Sequence, residues 1–196
     1  MKTLTYREHI RQRSALRFIL GGGIRLLNYL RNKFIVMIAR SKGASVGSDS
    51  SMPLKLALKA NSNLIIGKDS IIESHLIDLR QKVVIGKNVI INKGATIIRQ
   101  SHNINSLEFE TIGSDLIIED YTWLTTNTLI VPSCKLIRKG TVLAAGSVLT
   151  RDTNAGDVLG GNPAQIIGQR KVLPTQLLPS ALQGRDFISY IKARFH

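Results

Sequence analysis

The 196-residue chain has one cysteine, one tryptophan and four histidines, and aromatic residues make up only 5% of it. The lone cysteine, Cys134, excludes an internal disulfide framework and fits a reducing compartment. With aromatics scarce, Ile, Leu and Val must fill the core that an apolar content of 43% allows. Long apolar runs are missing too: "FIVMIA" at 34–39 falls far short of a bilayer span. The start, "MKTLTYREHIRQR", is charged throughout and lacks a cleavage pattern, so a cytoplasmic location is expected. Acidic residues are few, 13 against 27 Lys and Arg, which leaves a net charge of +14. That surplus is concentrated: residues 1–43 hold ten basic residues against Glu8, and the rest holds seventeen against twelve. A nucleic-acid surface would interleave basic and aromatic side chains over the body, which shows no such pattern, so no nucleic-acid partner is expected.

What is present is a rhythm. From residue 118 a branched aliphatic falls every six positions, at Ile118, Leu124, Ile130, Leu136, Val142 and Val148. Four places after the first five stand Thr122, Thr128, Cys134, Gly140 and Gly146. Upstream the pattern is Ile85, Ile91 and Ile97 with Val89, Ala95 and Ser101, and "IIGKDS" (65–70) and "SVGSDS" (45–50) are looser copies. A period of six suits neither helix nor a long strand, but it suits a coil of three short faces, with the aliphatic inward and the small residue at the corner. One coil cannot bury its own apolar face, so the stack is the folding unit. Val46 to Ile66 and Ile66 to Ile85 are each about one coil, whereas Ile85 to Ile118 is one coil plus a fifteen-residue excursion at 99–115. A long loop thrown from a regular repeat is where function concentrates, and His102 stands in it.

The pattern [LIV]-[small]-x-x-[small]-x resembles the hexapeptide-repeat acyltransferases, and within them the sugar O-acetyltransferases of the maltose/galactoside and polysaccharide-modifying kind. The resemblance covers about residues 64–171. It rests on "IDLRQK", "RQSHN", "IIEDYTWLTT", "AAGSVLTRD" and "GGNPAQIIGQRK". It implies an all-β solenoid, a left-handed parallel β-helix over 44–173; the residues outside it read as an N-terminal helical segment (1–43) and a C-terminal helical tail (174–196). It further implies an enzyme that moves an acetyl group from acetyl-coenzyme A to a hydroxyl of a sugar or cell-surface polysaccharide precursor. The assembly it implies is a homotrimer, with the coenzyme lying in the groove between neighbouring subunits. No metal is expected, since a metal-bearing relative with the same coil needs three histidines and only His75 and His102 lie in the repeat.

Carried over by position, His102 becomes the general base, a task suited to an imidazole, whose ordinary pKa is about 6.5. Asn103 follows it where the family usually has Asp. Asp78 matches an acceptor-contacting position, or is a solvated corner, and Glu108 and Glu110 are further acids within the loop. Trp123 would stack on sugar or pantetheine, or pack under the loop. The Thr126 backbone N–H would face the thioester carbonyl, although Thr125 replaces a family glycine. Ala144 and Ala145 would let pantetheine lie close, and Thr150, Arg151, Arg170 and Lys171 would contact the rest of the coenzyme, the basic ones its phosphates. A catalytically silent scaffold would keep the hexads without needing these residues, and another acyl donor or a non-sugar acceptor would leave the same pattern.

In residues 1–43, Leu16, Leu20, Ile24, Leu27, Leu30, Phe34 and Met37 recur at helical spacing, with a break or bend expected at "GGG" (21–23). Arg7, Arg11, Arg17, Arg25, Arg31 and Lys33 supply a basic surface. The segment reads as a cap on the open end of the coil, as a helix on the anionic inner face of a membrane, or as both. Peripheral membrane contact would suit an acceptor built on a lipid carrier.

Overall fold

The computed structural model describes residues 6–175 and 179–195, so residues 1–5, 176–178 and 196 of the two terminal segments lie outside the described residues. Short strands run round three flat faces in rotation. The first face stacks Ser45–Val46, Leu64–Ile66, Val83–Ile85, Leu116–Ile118 and Leu136–Ile137. The second stacks Ile71–Ile72, Ile90–Ile91, Trp123–Leu124, Val142–Leu143 and Asp157–Gly161, and the third Thr96–Ile97, Leu129–Ile130 and Val148–Leu149. Every pairing among these strands is parallel and joins residues one coil apart. Asp157–Gly161 then turns back as Ala164–Gln169, an antiparallel edge that ends the second face.

The core is three columns. Ile66, Ile85, Ile118 and Ile137 lie in register on the first face, Ile72, Ile91, Leu124 and Leu143 on the second, and Ile97, Ile130 and Leu149 on the third. All are at most 2% exposed. This corrects the expected register in the last coils. Leu136, Val142 and Val148 are only half-buried, and their neighbours Ile137, Leu143 and Leu149 point inward. The step from Ile130 to Ile137 holds one residue more than a hexad, and every later inward position moves on by one.

The same shift reassigns the corner residues. At two of the three corners, a backbone with positive φ comes three places after the inward residue: at Asp49, Asp69, Asn88, Tyr121 and Gly140 on one corner and at Gly94, Asn127 and Gly146 on the next. Gly140 and Gly146 are therefore turn tips, and the small buried residues behind them are Thr141 and Ser147. Asn, Asp and Gly tolerate the left-handed region best, which is why they fill most of these tips. The hydroxyls behind the tips bridge coils: Ser70 Oγ donates to Gly86 O and accepts from Val89 N. Coils also meet closely at the first corner, where a Cβ on Gly67 would stand 2.6 Å from the carbonyl carbon and oxygen of Gly86.

Helix α1 (Tyr6–Arg11), α2 (Ala15–Ser41), α3 (Leu54–Leu58) and α5 (Phe187–Phe195) cluster at the open end of the coil, and α4 (Pro179–Leu182) borders the second face beside Ile90 and Trp123. Helix α2 covers that end with Ile35, Val36 and Ala39, which share one core with Val46, Met52 and Leu56. It continues unbroken through Gly21–Gly23, where a break or bend was expected. A Cβ at Gly21 would meet the Tyr190 hydroxyl at 2.8 Å, so this glycine serves close approach of α5 instead of a hinge. Tyr190 is fully buried, stacks on Phe18 and donates to its carbonyl. Arg25 also leaves the expected basic surface: its Nε sits 2.9 Å from the buried Asp186 carboxylate, to which Tyr6 donates as well. The apolar seam from Leu16 to Met37 faces outward, so the cap packs through a different set of residues.

Replacing Gly67 by Ala is expected to lower stability by about 1–3 kcal/mol through overpacking of backbone on backbone. Gly23→Ala, at an exposed helical site with nothing within 4 Å of the added Cβ, is expected to raise it by about 0.5–1 kcal/mol. Denaturant midpoints of the two variants beside the wild type check both signs.

Candidate active site

The excursion at 99–115 is an antiparallel hairpin. Gln100–His102 pairs with Thr111–Gly113, with His102 opposite Thr111. It leaves the corner between the third and first faces, and its root is fixed by a residue that the repeat pattern did not single out. Arg99 is fully buried. Its guanidinium donates to Ile98 O at 2.6 Å, Cys134 O at 2.9 Å and Val131 O at 2.6 Å. The two carbonyls from 131 and 134 belong to the corner with the extra residue, so the irregular corner and the hairpin root are one device. Ser114 closes the root, donating from its backbone to Arg99 O and from its hydroxyl to Pro132 O. Burial in this place pushes the Cys134 thiol up to about 12.

His102 is exposed on the hairpin, its ring stacked on Phe109 with centroids 4.6 Å apart and planes 4° from parallel. Its Nδ1 lies 2.9 Å from Phe109 O. A carbonyl only accepts, so Nδ1 carries the proton, and in the neutral ring Nε2 keeps its lone pair. Asn103 directs its side chain to the hairpin tip. It donates to Glu110 Oε1 at 2.7 Å and accepts from Asn105 N, which shapes the hairpin tip. Ser106 and Asn103 together hold the Glu110 carboxyl below its usual range. Phe109, at positive φ, carries both the stack and the carbonyl. As the only aromatic in the stretch, it was the one signal the sequence offered for that role.

Asp78 lies on the same corner one coil earlier, where its backbone N–H donates to Ile97 O. Its Oδ1 accepts from Arg80 N and Nε, and its Oδ2 from Arg80 Nη2 and Arg99 N. Four donors fill the four lone-pair positions of a carboxylate. The Arg80 guanidinium, helped by these backbone N–H groups, holds the Asp78 carboxyl down at about 2. A hydroxyl ligand at Asp78 would have to displace the exposed Arg80.

The other sequence-selected residues fall on different parts of the coil. Thr125 and Thr126 stack beneath Ala144 and Ala145 at the corner between second and third faces. Thr150 lies at the far end of the third face, its carbonyl accepting from Ser133, and the exposed Arg151 reaches Gln165. Trp123 stands on the second face, 42% exposed, its Nε1 donating to Asn92 Oδ1. Asn92 in turn donates to Glu73, which Gln183 also holds, so the indole is oriented by a chain that reaches the C-terminal segment. Arg170 donates to Tyr121 O and Gly140 O, which occupies its guanidinium with backbone, while Lys171 is exposed. The hairpin and the Thr126–Ala145 corner thus stand on opposite sides of the third face. Among the described residues no cluster of three His, Cys, Asp or Glu could hold a metal ion.

No family model matches the chain. It is 31% identical over 101 residues to "Putative acetyltransferase YvoF" of Bacillus subtilis, an alignment covering 52% of this chain and 56% of that protein. The chain therefore spans little more than half the length of that relative. Among solved structures it is similar to the hexapeptide-repeat-containing acetyltransferase VCA0836 of Vibrio cholerae, with a TM-score of 0.63 and 21% identity over 87% of this chain and 96% of that one. The same Vibrio protein complexed with acetyl-coenzyme A gives a TM-score of 0.59 at 20% identity, over 84% and 89% of the two chains. A galactoside acetyltransferase in complex with coenzyme A gives 0.53 at 18% identity, over 74% and 82%. The chain has the fold of the hexapeptide-repeat acetyltransferases.

Two substitutions test the hairpin's footing. Arg99→Met leaves buried carbonyls without donors and is expected to cost about 2 kcal/mol or more, with faster proteolytic nicking between 103 and 110. Asp78→Asn removes a carboxylate whose pKa lies below its ordinary value of 3.8. Its contribution is full above about pH 4 and disappears as pH falls through about 2. The variant should thus be less stable than wild type by about 1–2 kcal/mol at neutral pH, with the difference closing in acid. Thermal melts across that pH range read the trend.

Proposed function

We propose that the chain is an acetyl-coenzyme A-dependent O-acetyltransferase acting on a hydroxyl of a sugar or cell-surface polysaccharide precursor, with His102 as the general base. The observation that carries this reading is the hydrogen bond from His102 Nδ1 to Phe109 O, which leaves Nε2 free to take a proton. In the reaction, Nε2 removes the acceptor hydroxyl's proton as that oxygen attacks the thioester carbonyl. The tetrahedral oxyanion accepts a hydrogen bond from the Thr126 N–H. Its collapse breaks the carbon–sulfur bond, and the imidazolium returns the proton to the departing thiolate. The products are an acetyl ester and free coenzyme A, and the base ends as it began.

The small side chains of Ala144 and Ala145 suit a pantetheine arm lying close, and Arg151 and Lys171 are exposed cations for its phosphates. Thr150 would border the same path, Trp123 would offer its indole face, and Asn103 and Asp78 would line the acceptor side. Arg170 and Asp78 would each have to give up present partners to serve. The left-handed winding belongs to this reading, and so does a homotrimer. In a three-fold ring, the hairpin of one copy would meet the Thr126–Ala145 corner of the next. Ile104, Leu107, Phe109 and Ile112 support that arrangement, because all four are at least half exposed on a hairpin that the chain itself does not cover.

A second reading, a catalytically silent coil, draws on the same occupied Asp78 and Arg170. Thiol release from acetyl-coenzyme A with a panel of sugar and oligosaccharide acceptors decides between them. Acceptor-dependent release is expected, falling by about 10²- to 10⁴-fold in His102→Gln. Release unchanged in that variant removes the histidine from the mechanism. No release from any acceptor, together with no coenzyme A binding in a titration, leaves the scaffold.

A further inference from the structure

We propose that the outward face of helix α2 is a seat for an anionic lipid surface, on which the protein lies with that helix parallel to the bilayer. This goes beyond the acetyl-transfer reading and does not depend on it. At 27 residues the helix is about 40 Å long. Nothing in it is acidic, and five of its residues are Arg or Lys.

Its two faces differ in kind. The inner one is used up: Ile35, Val36 and Ala39 sit in the main core, Asn32 donates to Ser50 O, and Arg25 pairs with Asp186. The outer one is a continuous apolar arc of about 160°, in which Leu16, Leu27 and Phe34 are 68%, 69% and 58% exposed. Basic side chains stand in and along this arc. Arg17 and Arg31 lie on one side of it, Lys33 and Arg40 on the other, and all four are exposed. An apolar stripe edged with cations is the pattern of a helix lying in the headgroup layer, where the apolar side chains enter the acyl boundary and the cations meet phosphates. Crossing is not at issue, since no helix among the described residues is long and apolar enough to span a membrane.

Charge selects this occupant over a second copy of the chain. Two such faces brought together would set the same four cations against each other, and α2 carries no carboxylate to answer them. Anionic headgroups answer all four at once.

Vesicle flotation of the full chain tests the proposal, with phosphatidylcholine alone and with phosphatidylcholine mixed with phosphatidylglycerol. The protein is expected to float with the mixed vesicles and much less with the neutral ones, and added salt should weaken it. Leu27→Glu/Phe34→Glu, both at exposed positions, should lose about tenfold or more in apparent affinity while keeping the wild-type circular dichroism. Arg17→Glu/Arg31→Glu should lose about tenfold on mixed vesicles only. Three outcomes overturn the proposal. One is no flotation with either vesicle. Another is equal, salt-insensitive flotation with both. The third is a fall in assembly mass by light scattering in Leu27→Glu/Phe34→Glu with no vesicle binding by wild type, which would make this face a contact between copies.

Discussion

A coil of eighteen to twenty residues has three inward aliphatic side chains and no second layer to bury them against. Each must therefore sit on the equivalent side chain of the next coil, and every other feature of the body follows from that registration. The columns Ile66–Ile85–Ile118–Ile137 and Ile72–Ile91–Leu124–Leu143 hold only if each corner turns in the same few residues. Hence the left-handed residue three places on and the small buried residue after it, at two of the three corners. Hence also the glycines at 47, 67 and 86, where one coil's backbone would otherwise meet another's Cβ.

Such a body is regular and closed along its sides, and a departure from it must be held in place at its root. At the hairpin this falls to Arg99. A guanidinium is large, planar and rich in donors, so it can fill a corner from within and satisfy carbonyls from two coils. The seven-residue step between Ile130 and Ile137 turns Val131 O and Cys134 O toward it. The irregularity that moves the register and the irregularity that carries His102 are thus coupled. Asp78 adds a strut from the coil below through Arg99 N. The hairpin's outer part has no comparable footing; its own Asn103, Ser106 and Phe109 give it shape.

The sequence made the three-sided coil and the position of the excursion legible because both are read from spacing alone. Its phase after residue 130 was not legible, for a physical reason. "LI" at 136–137 and "VL" at 142–143 and 148–149 are aliphatic doublets, and one member faces in while the other faces the half-buried flank. Only the corner geometry tells them apart, and an extra residue at one corner leaves no mark in a count of hydrophobics. Arg99 was illegible for a related reason, since a cation before a polar loop looks like surface until its three acceptors are known. "GGG" at 21–23 looked like a break or bend because glycine weakens helices, yet a packed partner such as Tyr190 can require glycine within a continuous one. Asp78 and Asn103 kept the residue types that the resemblance asked for or nearly so, while their hydrogen bonds serve the local structure first.

The helical end obeys a different constraint from the body. It closes the coil with one face, and a helix long enough to reach across the open end carries a second face of equal length. In a chain with acids to spare, that second face would be polar. Here the acids are few, and several of those on the body are bound into corners: Asp120 caps Lys87 N, Asp152 caps Lys135 N and Leu136 N, and Asp157 caps Asn154 N. The N-terminal segment is left with cations and aliphatics. A helix so composed is soluble at its borders and apolar at its centre, a combination that an aqueous surface tolerates and an interfacial one stabilises. The cap thus closes the core with one face and keeps the other apolar at its centre and cationic at its borders.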